Sequence, residues 1–423
     1  MNKLSKYPLK KSKLLSLEVK EKLNLNNITK AYFIERPNRF IVHCKNENNA
    51  FIRAHLPNPG RLDELFFPNS IIYLSKASDQ KKKSKVPRRT SYTVIGVERD
   101  GYPVFLHTHD TNSLIEILLN EKLIEQLAGY TIEKREATYG KSRFDFLLKK
   151  DTPQPVEANH NSRKDDKIAK ENQLWLEVKS CTLFGNNVAM FPDAITARGR
   201  KHLLELAKLR DSGVDCAVVF AVHCPDVKYF MPDFHTDLQF SQTLMNVKDQ
   251  VKIIPVAIPW QKDMSLSLPV KEVTVPWKYL SKTIKDTGTY LALAYFEKPV
   301  TCKMKSNGFG ENKNTYTFER GYYIYTSSFV EGNLEQTIRR LKNKKRKIIT
   351  SIPKLLVSNA VEIRIMAIRS PNDQSQIIKN TFQNLGAKYD ISTNKSLIFT
   401  KENPIDNVEF HNILEKFRMK QPD

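Results

Sequence analysis

Near Ser113 the hydrophobic period of the chain changes from two to about 3.6, and no fold built from one kind of element throughout accommodates that switch. Before it, short apolar runs recur: Tyr32-Phe33-Ile34, Phe40-Ile41-Val42, Ala50-Phe51-Ile52, Ile71-Ile72-Tyr73-Leu74, Tyr92-Thr93-Val94-Ile95 and Val104-Phe105-Leu106. Turn residues separate them, the pattern of a small antiparallel barrel. After it, Leu114, Ile115, Leu118, Leu119 and Leu123 form the apolar face of a helix expected to end near Gly129. Strands predicted over 142–148, 174–182, 216–222 and 251–258 then alternate with helices over 197–210 and 238–247, a mixed α/β layout.

The chain therefore divides into a basic N-terminal extension (1–30), a barrel (31–107), an α/β domain (108–260), a linker (261–286) and a further unit (287–423) opening on the strand 290–296. The extension is Lys-rich and weakly amphipathic, so either a basic helix or a mobile arm is expected. Within the α/β domain, 151–172 is polar and charged with two prolines, and reads as an insertion looped out of a hairpin. No repeat of 20–50 residues is present, and no run approaches the roughly 20 apolar residues that span a bilayer.

Charge narrows the function classes. The 68 Lys and Arg against 46 Asp and Glu give 68 − 46 = +22, which points to a polyanionic partner. The five cysteines, Cys44, Cys181, Cys216, Cys224 and Cys302, contain no Cys-x-x-Cys pair and read as free thiols in a reducing compartment. The first residues carry no signal-peptide pattern, so a cytoplasmic setting is expected.

The informative chemistry is acidic. Asp145 stands in Ser142-Arg143-Phe144-Asp145-Phe146-Leu147, and Glu177 and Lys179 in Leu174-Trp175-Leu176-Glu177-Val178-Lys179-Ser180. Residues two apart on a strand share a face, so Glu177 and Lys179 project together while Leu176 and Val178 pack behind them. If the two strands pair, Asp145 joins the carboxylate and the lysine. Two converging carboxylates repel unless a divalent cation or a proton lies between them, and all-oxygen ligation suits Mg²⁺ or Mn²⁺. A lysine beside such an ion can orient a water or neutralise charge building on a phosphodiester. The spelling Glu-x-Lys alone is uninformative, since it recurs at Glu18-Val19-Lys20 and Glu311-Asn312-Lys313; the strand context carries the weight. A solvated strand face with a cross-strand ion pair is the plainer reading of the same trio.

Five stretches in order carry a resemblance: Leu56-Pro57-Asn58-Pro59-Gly60-Arg61-Leu62, Leu119-Asn120-Glu121, Ser142-Arg143-Phe144-Asp145, Glu177-Val178-Lys179-Ser180, and the run from Phe191-Pro192-Asp193 through Thr196-Ala197-Arg198-Gly199-Arg200-Lys201-His202-Leu203. From about Arg36 to Pro259 the chain resembles the sugar fermentation stimulation family, SfsA. The resemblance implies an OB-fold barrel followed by a PD-(D/E)XK nuclease domain. It implies Asp145 and Glu177 as metal ligands, Lys179 as the catalytic lysine, the Val178 backbone carbonyl completing the site, and Glu121 as an outlying helical carboxylate. Thr196, Arg198, Lys201 and His202 gather at a helix start, where amides and the positive dipole end favour a phosphate; ordinary capping is the alternative. Arg61 follows Pro59-Gly60 either as a phosphate contact or in a plain turn, and Arg143 is a further candidate nucleic-acid contact.

The C-terminal unit resembles a GIY-YIG endonuclease-like domain through Gly288-Thr289-Tyr290-Leu291 and Gly321-Tyr322-Tyr323-Ile324-Tyr325-Thr326-Ser327-Ser328. The copy is degenerate. Ser327 stands where the second motif has glycine, Thr337 where the arginine aligns, and no glutamate lies near 373–376, so Tyr290 and Tyr325 mark a candidate second site in a module expected to be silent. Arg339, Arg340, Lys344 and Lys345 belong to a basic run suited to sequence-blind phosphate contact. Together these point to a Mg²⁺- or Mn²⁺-dependent nuclease of DNA or RNA. The alternative is a non-catalytic DNA-binding or regulatory protein that keeps the nuclease fold.

Overall fold

The computed structural model describes residues 9–25, 27–76, 90–140, 142–151, 172–305, 313–343, 351–389 and 397–422. The insertion at 152–171 and the basic residues Lys344 and Lys345 lie outside them. The chain divides into two compact units, one formed by 1–232 and 239–276, the other by 233–238 and 277–422.

The first unit opens on helix α1 (Leu9–Lys22), followed by strands β1 (Ile28–Asn38), β2 (Ile41–Lys45), β3 (Phe51–His55), β4 (Ile71–Lys76), β5 (Tyr92–Arg99) and β6 (Tyr102–Phe105). The order β3-β2-β1-β4-β5-β6, closed by a parallel pairing of β3 with β5, makes a five-stranded barrel with β6 as a hairpin arm. The period-two runs account for it: Ala31, Phe33, Val42, Cys44, Ile72 and Val94 are buried, while Phe40 and Phe51 stand exposed. The extension is a packed helix from Leu9 onward, because Leu15, Val19 and Leu23 are buried against the core.

Helix α2 (Thr108–Asn120) leads to β7 (Tyr130–Tyr139), β8 (Ser142–Lys150), β9 (Gln173–Cys181), β10 (Leu183–Gly185), β11 (Val188–Phe191), α3 (Ala197–Asp211), β12 (Asp215–Val222), β13 (Tyr229–Pro232), α4 (Leu238–Val247), β14 (Lys252–Ala257) and β15 (Lys271–Glu272). The main sheet runs β15-β14-β12-β9-β8-β7, parallel across β14, β12 and β9 and antiparallel toward β8 and β7. Strand β7 is absent from the sequence expectation, for a visible reason. It is an outer strand, and most of its side chains are solvated, so no apolar alternation marks it. One core joins α1, α2, the barrel residues Tyr73, Ile95 and Phe105, and the sheet residues Phe146, Leu176, Val178 and Val219. All five cysteines are free and buried.

The expected linker, 261–286, is folded. Met264 and Leu266 sit in the first unit's core, β15 pairs with β14, and helix α5 (Trp277–Thr283) begins the second unit. That unit continues with β16 (Gly288–Phe296), β17 (Val300–Lys305), β18 (Lys313–Phe318), β19 (Gly321–Thr326), α6 (Leu334–Lys342), α7 (Ile352–Asn359), β20 (Glu362–Arg369), α8 (Ser375–Phe382), β21 (Ala387–Tyr389), β22 (Leu397–Thr400) and α9 (Val408–Arg418). Its sheet, β20-β16-β19-β22-β21, is antiparallel throughout, and β17 and β18 form a separate hairpin. Alternation along β16 sends Tyr290, Ala292 and Ala294 to one face and Leu291 and Leu293 to the other. This is the expected α+β layout. Among the described residues no helix is long and apolar enough to cross a membrane.

Candidate active site

Strands β8 and β9 pair from Lys149↔Gln173 to Phe146↔Leu176, and their register ends there while β9 continues against β12. Asp145 and Glu177 stand opposite one another at the point where the ladder opens. The Asp145 carboxylate takes over the role of a ladder partner: the Val178 N–H donates to its Oδ2 at 2.7 Å. Its Oδ1 accepts from Asn112 Nδ2, also at 2.7 Å, so the first turns of α2 reach the site. Glu177 and Lys179, two apart on β9, share the face that lines the cleft and form an ion pair, while Leu176 and Val178 enter the core. The arrangement inferred from strand periodicity is therefore the one the fold contains.

Glu177 is only 4% exposed, and its two oxygens have different surroundings. Oε1 meets Lys179 and His202 Nδ1, the latter at 2.6 Å. Arg198 Nε donates to His202 Nε2 at 3.4 Å, so the imidazole bridges Arg198 and Glu177. Oε2 is buried and, among the described residues, has no hydrogen-bond partner. The electrostatics of the pair diverge. Burial, and then the neighbouring Glu177 charge, push the Asp145 carboxyl up. Burial acts the same way on Glu177, but the His202 hydrogen bond and the Lys179 ammonium outweigh it and hold the carboxyl down.

The pair lines a cleft of about 360 Å³ whose walls include Asn58, Gly60, Thr108, Asn112, Ser180, Asp193 and Arg198. The barrel supplies one wall through the 58–60 loop. Arg36 gathers that loop by donating to the carbonyls of Gly60 (2.8 Å) and Arg39 (2.9 Å), and Thr108 Oγ1 donates to the Pro57 carbonyl at 2.8 Å. The Arg61 N–H donates to Asp193 Oδ2 at 3.0 Å, tying the loop to the segment before α3. Glycine at position 60 follows from this contact, since a Cβ there would lie 2.2 Å from the same Asp193 oxygen. Glu64, four residues on, is buried with an Oε1 that has no hydrogen-bond partner among the described residues, and burial pushes its carboxyl up to about 8.

Several expected positions lie elsewhere. Glu121 follows the last turn of α2, nine residues (121 − 112) beyond Asn112 and so about 13 Å further along at 1.5 Å per residue, and it does not line the cleft. The helix side chain bonded to Asp145 is Asn112, which sequence reasoning missed because α2 starts at Thr108 rather than near Ser113. His202 is turned inward onto Glu177 rather than outward to a phosphate. Thr196 is an N-cap, accepting the Gly199 N–H at 3.0 Å. Arg198 remains at the cleft wall. Lys201 is exposed beside Glu205 at 3.6 Å, Arg143 beside Glu136 at 3.4 Å, and the Arg61 side chain is exposed on its loop.

In the second unit Tyr290 and Tyr325 have ring centroids 6.1 Å apart. Burial raises both hydroxyls, that of Tyr290 with a further push from Tyr325. Ser327 Oγ accepts the Tyr290 N–H at 2.9 Å, so the serine in place of glycine is bonded into the strand pair. Arg339 and Arg340 are exposed on α6.

A hard divalent cation fits the first site on its donor chemistry: Asp145, the orphaned Glu177 Oε2 and the Val178 carbonyl supply oxygen only. Among the described residues no group of three or more His, Cys, Asp or Glu forms a metal cluster, so the remaining ligands would come from solvent or substrate.

Comparison with known proteins covers the first unit. A family model described as "SfsA N-terminal OB domain" matches 34–106, and one described as "Sugar fermentation stimulation protein RE domain" matches 109–264. A sugar fermentation stimulation protein homolog of Methanosphaera stadtmanae is 37% identical over 258 residues, covering 59% of this chain and 98% of the relative. One from Methanothermobacter thermautotrophicus is 32% identical over 255 residues, covering 60% and 95%. The solved structure of Pyrococcus furiosus SfsA in complex with Ca²⁺ is 25% identical, covering 59% of this chain and 96% of that one, with a TM-score of 0.49. Both family models end before 277, where the second unit resumes.

Proposed function

The chain belongs to the sugar fermentation stimulation protein (SfsA) family, and from that membership we propose that it is a divalent-metal-dependent nuclease hydrolysing phosphodiester bonds of DNA or RNA. The observation that carries the reading is the buried Glu177 Oε2, without a partner among the described residues, in the same cleft as Asp145. A buried carboxylate oxygen left unpaired is costly, and a cation removes that cost together with the repulsion that pushes Asp145 up. The strand-end pairing of Asp145 with Glu-x-Lys is the PD-(D/E)XK pattern implied by the family resemblance.

Bound between Asp145 and Glu177, Mg²⁺ or Mn²⁺ would supply Lewis acidity and a water of lowered pKa. The chain's own residues do the rest. Asn112 and the Val178 N–H fix Asp145. His202 fixes Glu177 through Oε1 and leaves Oε2 for ligation. Lys179, at the cleft wall, neutralises charge gathering on the scissile phosphate, and Arg198 offers a second cation to the same phosphate. The net charge of +22 draws the polyanion in, with exposed Arg61, Arg143, Lys201, Arg339 and Arg340 as salt-sensitive contacts. The GIY-YIG-like unit is read as binding without cutting, since Ser327, Thr337 and the lack of a glutamate at 373–376 leave its motif incomplete.

The test is cleavage of labelled single- and double-stranded DNA and RNA with Mg²⁺, Mn²⁺ or chelator, beside Glu177→Gln and Lys179→Ala. Metal-dependent cleavage by the wild type, lost in both variants, is expected. No metal-dependent cleavage of any substrate would refute the nuclease and leave a DNA-binding protein. Cleavage that survives Glu177→Gln and disappears in Tyr290→Phe would move the chemistry to the second unit.

A further inference from the structure

A second cleft, of about 400 Å³, lies within the C-terminal unit on the sheet face opposite to Tyr290. Tyr295 of β16 and Tyr322 of β19 are direct cross-strand partners, and their rings stack with centroids 4.6 Å apart at 29°. Leu293 lies beside them on the same face, and Glu362 and Arg364 come from the neighbouring strand β20. Asn403 closes the other side. Its Oδ1 accepts the Ile405 N–H at 3.2 Å, a bond that does not use its Nδ2 donors. Burial, and then the Tyr295 and Glu362 neighbours, push the Tyr322 hydroxyl up, so it is a neutral donor at physiological pH.

The lining selects one kind of ligand. A bare phosphate is disfavoured, because Glu362 shares the cleft with Arg364. A purely apolar guest makes no use of the Glu362 carboxylate or of the Asn403 amide donors. A flat heterocycle with donors and acceptors on its edge satisfies both requirements: its face extends a tyrosine stack, and its edge meets the Glu362 carboxylate and the Asn403 amide. We infer that the Tyr295–Tyr322 cleft is a nucleobase-binding site, which seats an unpaired base of a single strand on the C-terminal unit. The inference rests on the nucleic-acid reading above and adds a base contact that the basic helix residues do not provide. Sequence pattern did not reveal it, because the Gly321–Ser328 motif drew attention to Tyr325, on the other face of the same strand.

The experiment uses the full chain with EDTA, so that nothing is cut. Fluorescein-labelled single-stranded 12-mers of deoxythymidine or of uridine are titrated beside a 12-mer of abasic sugar-phosphate with the same charge. Wild type, Tyr295→Val/Tyr322→Val and Tyr295→Phe/Tyr322→Phe are compared. Loss of one stacked base weakens binding about five- to 150-fold. That loss is expected for the valine pair on a base-bearing oligomer, with abasic binding unchanged and the phenylalanine pair close to wild type. Weakening with only one of the two sugars also supports the site and identifies the strand. Equal affinities of wild type and valine pair for both base-bearing oligomers, or a parallel loss on the abasic chain, overturns it. Should the valine pair not fold, a 5-iodouridine oligomer is photo-crosslinked to wild type; adducts on Tyr295 or Tyr322 support the site, and adducts confined elsewhere overturn it. Cleavage of the labelled DNA and RNA with Mn²⁺ is read separately, so a wild type inactive on all of them refutes the nuclease without touching the binding result.

Discussion

Glu64 makes the stability of the first unit depend on pH in a direction opposite to that of most carboxylates. Its carboxyl is raised from an ordinary 4.5 to about 8, first by burial, with Asp193 adding to the rise and Arg99 opposing it. A group whose folded value is raised binds its proton more tightly in the folded protein. The stability it contributes is therefore fully present below about pH 4.5 and declines as pH rises toward 8. At about 1.36 kcal/mol per pH unit the loss reaches about 3 kcal/mol at pH 7 and about 5 kcal/mol above pH 8, upper figures for a site that admits no water. Glu64→Gln keeps the shape and removes the titration. Urea unfolding, followed by tryptophan fluorescence from Trp175 and Trp260 in a Trp277→Phe background, is measured for wild type and variant at pH 5, 7 and 8.5. The variant is expected to match wild type within about 1 kcal/mol at pH 5 and to exceed it by about 3 kcal/mol or more at pH 8.5. The difference between the two curves removes every other titrating group. A difference that does not change with pH would show that Glu64 is ionised in the folded protein and would refute the reasoning.

Two further outcomes follow from the cleft. Removing His202 with His202→Ala takes away the hydrogen bond that most strongly holds the Glu177 carboxyl down, so the acid limb of metal-dependent cleavage should move to higher pH. A pH–rate profile checks it, and a drop in rate with no movement of the limb would contradict the assignment. Gly60→Ala forces a Cβ toward Asp193 Oδ2 and should break its hydrogen bond from the Arg61 N–H, at about 1.5–3 kcal/mol for a bond to a charged group. In an Asp193→Ser background the same substitution should cost much less, as a double-mutant cycle of unfolding free energies would register.

What the sequence could disclose depended on which side chains face the core. The barrel strands, strands β8, β9, β12 and β14, and the α3 and α4 helices announce themselves, because their apolar residues record one buried face or, in β12, two; the short β10, β11, β13 and β15 leave no such record. Strand β7 and the first turns of α2 do not. The strand's side chains are mostly solvated, and the polar run Thr108-His109-Asp110 faces no core, so the apolar period marks the helix only from Ser113 and leaves Asn112 outside it. The stretch 261–276 carries a period-two signal in Met264, Leu266, Leu268 and Val270, but serines and Pro269 interrupt it, and the folded unit packs all four against its core without a long strand.

The sequence by itself determined the trio. Strand periodicity puts Glu177 and Lys179 on one face, and two carboxylates beside a lysine in a chain of +22 point to phosphate chemistry. The tertiary structure decided which partners complete the site. Whether His202 meets a phosphate or Glu177, whether Glu121 or Asn112 reaches Asp145, and why position 60 is glycine all depend on contacts between residues 25 to 133 positions apart. Local pattern encodes the face a residue presents; the identity of the group it meets is set only when distant segments pack.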